Sequence, residues 1–137
     1  MKITVHTDIR ASLDSVWRAW TSPQAIMQWN AAVESWCCPR AELELVEGGR
    51  FHYRMEAKDG SMGFDYEGTF VAIRPQQSLV LRLGDDRKVE VVFTLTEKGV
   101  RVAETFETED ENSAEQQRQG WQAILDHFRE FVERTAA

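Results

Sequence analysis

The sequence predicts an α+β domain: a curved antiparallel sheet wrapped around one long C-terminal helix, with two short helices after the first strand. Three observations predict it. Between about Arg40 and Glu107, segments of period two are separated by tight-turn signals. The last twenty or so residues carry an apolar stripe of helical period. Two short capped segments stand between the first strand and the rest.

The elements follow in chain order. Ile3, Val5 and Thr7 alternate with Thr4, His6 and Asp8, as in a half-buried strand. Ser12 can cap the first helix, on which Leu13, Val16, Trp17 and Trp20 share a face. Ser22 and Pro23 start the second, which carries Ala25, Ile26 and Trp29. Leu43 and Leu45 then alternate with acids, and Gly48-Gly49 turns the chain. Phe51, Tyr53 and Met55 share one strand face, and Asp59-Gly60 marks a hairpin. Phe64, Tyr66, Gly68 and Phe70 continue the alternation until the run Phe70 to Ile73 breaks it, which predicts a bulge or bend. Leu79, Leu81 and Leu83 form the next strand after Pro75. Val89, Val91, Phe93 and Leu95 follow Gly84-Asp85-Asp86. Lys98-Gly99 leads into Val100, Val102, Glu104 and Phe106. After an acidic loop, Ser113 and Gln116 have the spacing of a capping box. The helix it opens has a stripe of Trp121, Ile124, Leu125, Phe128, Phe131 and Val132. One long helix cannot cover a flat meander, so the sheet must curl to bury its inner face, and the short helices close one end.

Composition narrows the function. At 137 residues the chain is expected to be a single domain over 1–137. Hydrophobic residues at 42% and charged residues at 28% are those of a globular domain, not a disordered one. No apolar run is long enough to span a membrane, and no leader pattern opens the sequence. Sixteen basic against 23 acidic residues leave a net charge of −7, which argues against nucleic acid and anionic membranes as partners. Cys37 and Cys38 are the two cysteines; adjacent residues make only a strained disulfide, so free thiols and a cytoplasmic location are expected. The adjacent pair is either incidental to function or a soft-metal or redox site.

Motifs for catalysis or metal binding are sparse. His6, His52 and His127 are scattered without ligand spacing, the Gly48-Gly49 pair lacks the Lys-Ser/Thr of a phosphate loop, and no nucleophile elbow is present. No catalytic residue, metal or cofactor is therefore assigned. Glu104 has the parity of its apolar neighbours. A regular strand turns it into the interior, where its pKa rises or it pairs with Tyr53, Tyr66 or Arg82; a bulge or a place at a cavity mouth leaves it solvated.

Four stretches, IRASLDSVWRAWTSPQAIMQW, GGRFHYRM, YEGTFVAIRPQQSLVL and GWQAILDHFREFVE, occur in this order and cover nearly the whole chain. Together they resemble the single-domain bacterial proteins related to the C-terminal domain of the activator of Hsp90 ATPase. Those belong to the START / Bet v 1-like superfamily with the helix-grip fold. The resemblance implies a deep, mostly apolar cavity between sheet and C-terminal helix, which in the superfamily holds lipids, sterols, flavonoids or polyketides. It also implies a packing role for Gly120 beside Trp121.

The expected cavity wall follows from parity. The sheet contributes Tyr53, Met55, Phe64, Tyr66, Phe93 and Phe106, with Glu104 as a polar group. The long helix contributes Trp121, Ile124, Leu125 and Phe128, and the closed end Trp29 and Trp36. These rings can pack as ordinary core or wall a binding site. The leading expectation is a binder of a small hydrophobic molecule. A chaperone-interaction module and a cyclase- or hydrolase-like enzyme using Glu104 with Tyr53, Tyr66 or His52 are the alternatives. The Hsp90 activator carries a further N-terminal domain whereas this sequence opens on its first strand, which argues against a chaperone partner. A homodimer is compatible with so small a domain.

Overall fold

The computed structural model describes residues 1–136. Chain order is β1 (Lys2–Ile9), α1 (Leu13–Thr21), α2 (Pro23–Trp29), β2 (Trp36–Leu43), β3 (Arg50–Ala57), β4 (Gly63–Arg74), β5 (Ser78–Leu83), β6 (Lys88–Leu95), β7 (Val100–Glu107) and α3 (Ala114–Thr135). The seven strands form one antiparallel sheet in the order β1-β7-β6-β5-β4-β3-β2, curled into a half-barrel around α3. This is the helix-grip fold. The meander β2 to β7 needs only short turns, and the long connection through α1 and α2 carries the chain from β1, at the edge beside β7, to β2 at the opposite edge.

The helix starts are those the sequence encodes. The Ser12 hydroxyl accepts a hydrogen bond from the Ser15 amide at 3.1 Å. Ser22 does the same for Ala25 at 3.4 Å, with Pro23 in the first turn. At α3 the box is reciprocal: the Gln116 amide donates to the Ser113 hydroxyl at 3.1 Å, and the Ser113 amide donates to the Gln116 side chain at 3.2 Å. Each such cap is worth about 1 kcal/mol. The expected break in β4 is a bulge between Phe70 and Ala72 opposite β5, which bends the strand where the sheet curls.

Three expectations need correction. β2 begins at Trp36, not near Arg40, because a bulge between Cys37 and Arg40 accommodates Pro39, which has no amide hydrogen to donate. The strand ends at Leu43, so Leu45 lies beyond it and is exposed, and its alternation with Leu43 is not that of a strand. Leu95 shares the face of Val89, Val91 and Phe93 as expected, although at the last position of β6 it is exposed. Gly120 makes no close approach: a Cβ there would meet no atom within 4 Å.

α3 packs its backbone against β1, while α1 and α2 brace it from the end. The Gln122 side chain donates to the His6 carbonyl at 3.0 Å, and the Glu133 carboxylate accepts from the Arg10 amide at 3.0 Å. Between helix and short helices, Phe128 is fully buried against Trp20 and Trp29, ring centroids 4.9 and 4.8 Å away. Held at one flank and one end, α3 does not descend onto β3, β4 and β5. That is where space remains. No helix among the described residues is long and apolar enough to cross a membrane.

Candidate functional site

The space is a partly open cavity of about 280 Å³ between the concave face of the sheet and α3. Its sheet wall is Tyr53 and Met55 of β3, Phe64, Tyr66 and Phe70 of β4, Leu79 and Leu81 of β5, and Glu104 of β7. α3 supplies Gln117, Trp121 and Ile124, spaced four and three residues apart so that they share one face. Trp20, Thr21, Trp29 and Asn30 close the end. The wall is mainly apolar, with its polar atoms few and separated, the usual make-up of a small-molecule pocket.

Strand register explains why Glu104 is inside. In β7 it faces Val5 of β1 on one side and Val91 of β6 on the other. Residues opposite one another in an antiparallel pair project to the same face, and both valines are buried. Glu104 is accordingly only 7% exposed, although it lines the cavity. Burial alone pushes its carboxyl from 4.5 up to about 8; no cation or hydrogen bond among the described residues opposes the shift. Arg82, considered as its partner, lies exposed on the other face of β5. Burial likewise raises the Tyr53 and Tyr66 hydroxyls, and for Tyr66 the neighbouring Glu104 charge adds to the effect. All three groups are therefore protonated at neutral pH.

The aromatic wall is held in layers. Trp121 stacks on Phe106 with centroids 4.2 Å apart and planes within 7°, and meets Tyr66 edge to face at 6.2 Å. Trp29 is oriented by its indole N–H, which donates to the Ala19 carbonyl at 3.0 Å. The rim over Trp121 is the loop after β7. Gln117 ties it down: its amide donates to the Glu109 and Asn112 carbonyls at 3.1 and 2.8 Å and accepts from the Glu109 amide at 2.9 Å. Arg87 also reaches the cavity, with its guanidinium paired to Asp85 at 2.7 Å.

The structure places Trp29, Tyr53, Met55, Phe64, Tyr66, Glu104, Trp121 and Ile124 on the cavity wall. Phe64 is at the mouth and 51% exposed, rather than inside. Five other residues expected there do not reach the cavity. Phe93 is covered by Trp17 and Trp20, Phe106 lies behind Trp121, and Phe128 behind Trp20 and Trp29. Leu125 is buried in the core away from the cavity, and Trp36 packs beside Phe64 at 5.8 Å. Parity tells which face a residue takes, not whether a second layer covers it. Leu79, Leu81 and Gln117 could have been assigned from parity and helical spacing. Arg87, Glu109 and Asn112 lie on loops, which periodicity does not reach.

Elsewhere the residues weighed for chemistry are occupied. His52 pairs with Asp65 at 2.7 Å on the outer face, and the His127 ring is bonded to the Ala31 carbonyl. Both thiols are free; burial raises that of Cys38, which disfavours the reactive thiolate. Among the described residues no group of three or more His, Cys, Asp or Glu is placed to hold a metal ion.

The chain is similar to several proteins of solved structure. An AHSA1-like protein from Aeromonas hydrophila is 41% identical, with 98% of this chain and 94% of that one covered and a TM-score of 0.93. A solution structure from Cytophaga hutchinsonii is 40% identical, covers 98% and 93%, and has a TM-score of 0.84. A crystal structure from Chromobacterium violaceum shares the fold at 21% identity, with coverage of 97% and 98% and a TM-score of 0.87. None of the curated proteins matches the sequence. Residues 10–133 match the family described as activator of Hsp90 ATPase homolog 1-like protein, and to that family this chain belongs.

Proposed function

We propose that the protein binds a small, mostly apolar molecule in the cavity between sheet and α3. The observation that carries this reading is a space between sheet and α3 that the surrounding side chains leave unfilled. Native interiors are close-packed, with few voids larger than a water molecule. A space of about 280 Å³ walled by rigid rings is far outside that pattern. The rings cannot simply rotate inward, because Trp121 is fixed by Phe106, and Trp29 by Ala19 and Phe128.

Size limits the guest. An engineered cavity of about 150 Å³ holds benzene. A cavity of about 280 Å³ suits a body of one or two rings with a short substituent. Of the guests expected, small polyketide-like compounds of one or two rings fit better than a three-ring flavonoid, a sterol or a full lipid chain. Free thiols, one of them buried, are compatible with a reducing compartment such as the cytoplasm.

The test is a titration with a naphthalene-type dye whose fluorescence rises in apolar surroundings, read with the emission of the tryptophans. Saturable binding with quenching, and loss of both on Ile124→Phe with the fold retained, is the expected result. A dye that stays dark, together with unchanged melting temperature in its presence, would count against the proposal.

A further inference from the structure

Resting on that cavity reading, the geometry points to the polarity of the guest. We propose that Glu104 and Tyr66 form the polar end of the site, and that the guest presents to them one uncharged hydrogen-bond-accepting oxygen, a ketone, aldehyde or ester carbonyl, on its ring body.

Glu104 is a polar side chain more than nine-tenths buried, it opens onto the cavity, and it has no partner within the protein among the described residues. The carboxyl opens onto the cavity rather than onto the protein, so its hydrogen-bond partner, water or a guest, comes from that space. The hydrogen that needs an acceptor is not alone. No hydrogen bond within the described chain holds the Tyr66 or Tyr53 hydroxyl either, and both line the same space. Trp121 meets Tyr66 edge to face and stacks on Phe106, two residues along β7 from Glu104, and the Glu104 charge bears on the Tyr66 hydroxyl, so these two groups lie at the same end of the space.

The charged surroundings of Glu104 are few. β1 and β6 set Val5 and Val91 beside it, and the cavity it opens onto is lined from β5 by Leu79 and Leu81 and from α3 by Trp121, Ile124 and Gln117, whose amide is engaged by the rim loop. α1 and α2 contribute Trp20, Thr21 and Trp29, with Asn30 just after. Tyr53 and Tyr66 are the titratable groups from β3 and β4. Arg87 is engaged by Asp85, and Glu109 belongs to the loop after β7. With no free cation facing it, the carboxyl is mainly the neutral acid, a donor, below about pH 8, where it is half ionised. A neutral acid beside a tyrosine hydroxyl is an established way to hold a carbonyl oxygen in an apolar site. A carboxylate-bearing guest would meet Glu104 without a neutralising charge, which sets this site apart from one for free fatty acids.

The experiment compares three compounds with one ring system by calorimetry: 1-acetylnaphthalene, 1-ethylnaphthalene and 1-(1-naphthyl)ethylamine. With the unaltered protein near pH 6, the ketone is expected to bind about tenfold tighter than the ethyl compound, as for one or two neutral hydrogen bonds. The preference weakens near pH 9.5, where Glu104 has given up its proton and the Tyr66 hydroxyl is left as the donor. Glu104→Gln, which keeps a donor that does not titrate, retains the preference at both pH values. Glu104→Leu keeps only the smaller preference that the Tyr66 hydroxyl supplies, and the double change Glu104→Leu with Tyr66→Phe binds ketone and ethyl compound alike. Equal binding of the two by the unaltered protein near pH 6 would overturn the proposal while leaving the cavity reading intact. So would tightest binding of the amine, strengthening as pH rises, because the carboxylate would then be reading a cation. If none of the three binds, the cavity reading itself falls.

Discussion

At Glu104 a carboxyl that ordinarily titrates at 4.5 is carried to about 8 by burial. Folded protein therefore keeps a proton that the unfolded chain gives up across that interval. The sign follows from linkage: this contribution to stability is whole below about pH 4.5 and is lost as pH rises towards and through about 8. Each unit of separation is worth about 1.4 kcal/mol, so by pH 7 the loss reaches about 3 kcal/mol, and it levels off above pH 8. Gln at the same position has no proton to lose. Its amide carries a desolvation cost of its own, about 1–3 kcal/mol, but that cost does not vary with pH. The difference between Glu104→Gln and the unaltered protein should thus move by about 3 kcal/mol in favour of Gln between pH 5 and 8. Urea unfolding of both proteins at half-unit steps measures it, and His6, His52 and His127 cancel because both proteins carry them. Stability curves that run parallel over this interval would refute the reasoning, since they would mean that Glu104 is already ionised or solvated in the fold.

Phe128→Ala should cost about 3–5 kcal/mol in denaturant unfolding, because the fully buried ring holds Trp20 and Trp29 against α3. Gly120→Ala should raise stability by up to about 1 kcal/mol, as the new methyl meets nothing and a helix favours Ala over Gly; a lower melting temperature would show that the position needs glycine. Gln117→Leu should speed hydrogen exchange at the Glu109 amide and cost about 1–3 kcal/mol, since one side chain supplies three bonds to the rim loop.

The fold was readable because its local signals agree. Ser113 with Gln116 announces α3, Ser22 with Pro23 announces α2, and the broken alternation at Phe70 to Ile73 announces the bulge. Period two also decided the facing of Glu104, where burial, not solvation, proved to be the outcome. What escaped has a common physical origin. The β2 start depends on how the chain passes Pro39, a local irregularity without a periodic signature. The exposure of Leu45 and Leu95 reflects where strands end, which alternation does not mark. Phe93, Phe106 and Phe128 have inward parity but sit in a second layer, because a cavity wall is set by which ring covers which. Arg87 and Glu109 reach the cavity from turns whose path is determined by tertiary contacts, such as the Gln117 bonds.

The central claim is that a small apolar guest occupies the space between the curled sheet and α3. Methyl-resolved NMR with 1-ethylnaphthalene addresses it directly. The methyls of Met55, Leu79, Leu81 and Ile124 should shift and show contacts to the ring protons, while those of Ile9 and Val16, buried outside the cavity wall, stay in place. Shifts confined to exposed Met62 and Leu95, with the four cavity methyls unmoved, would contradict the account.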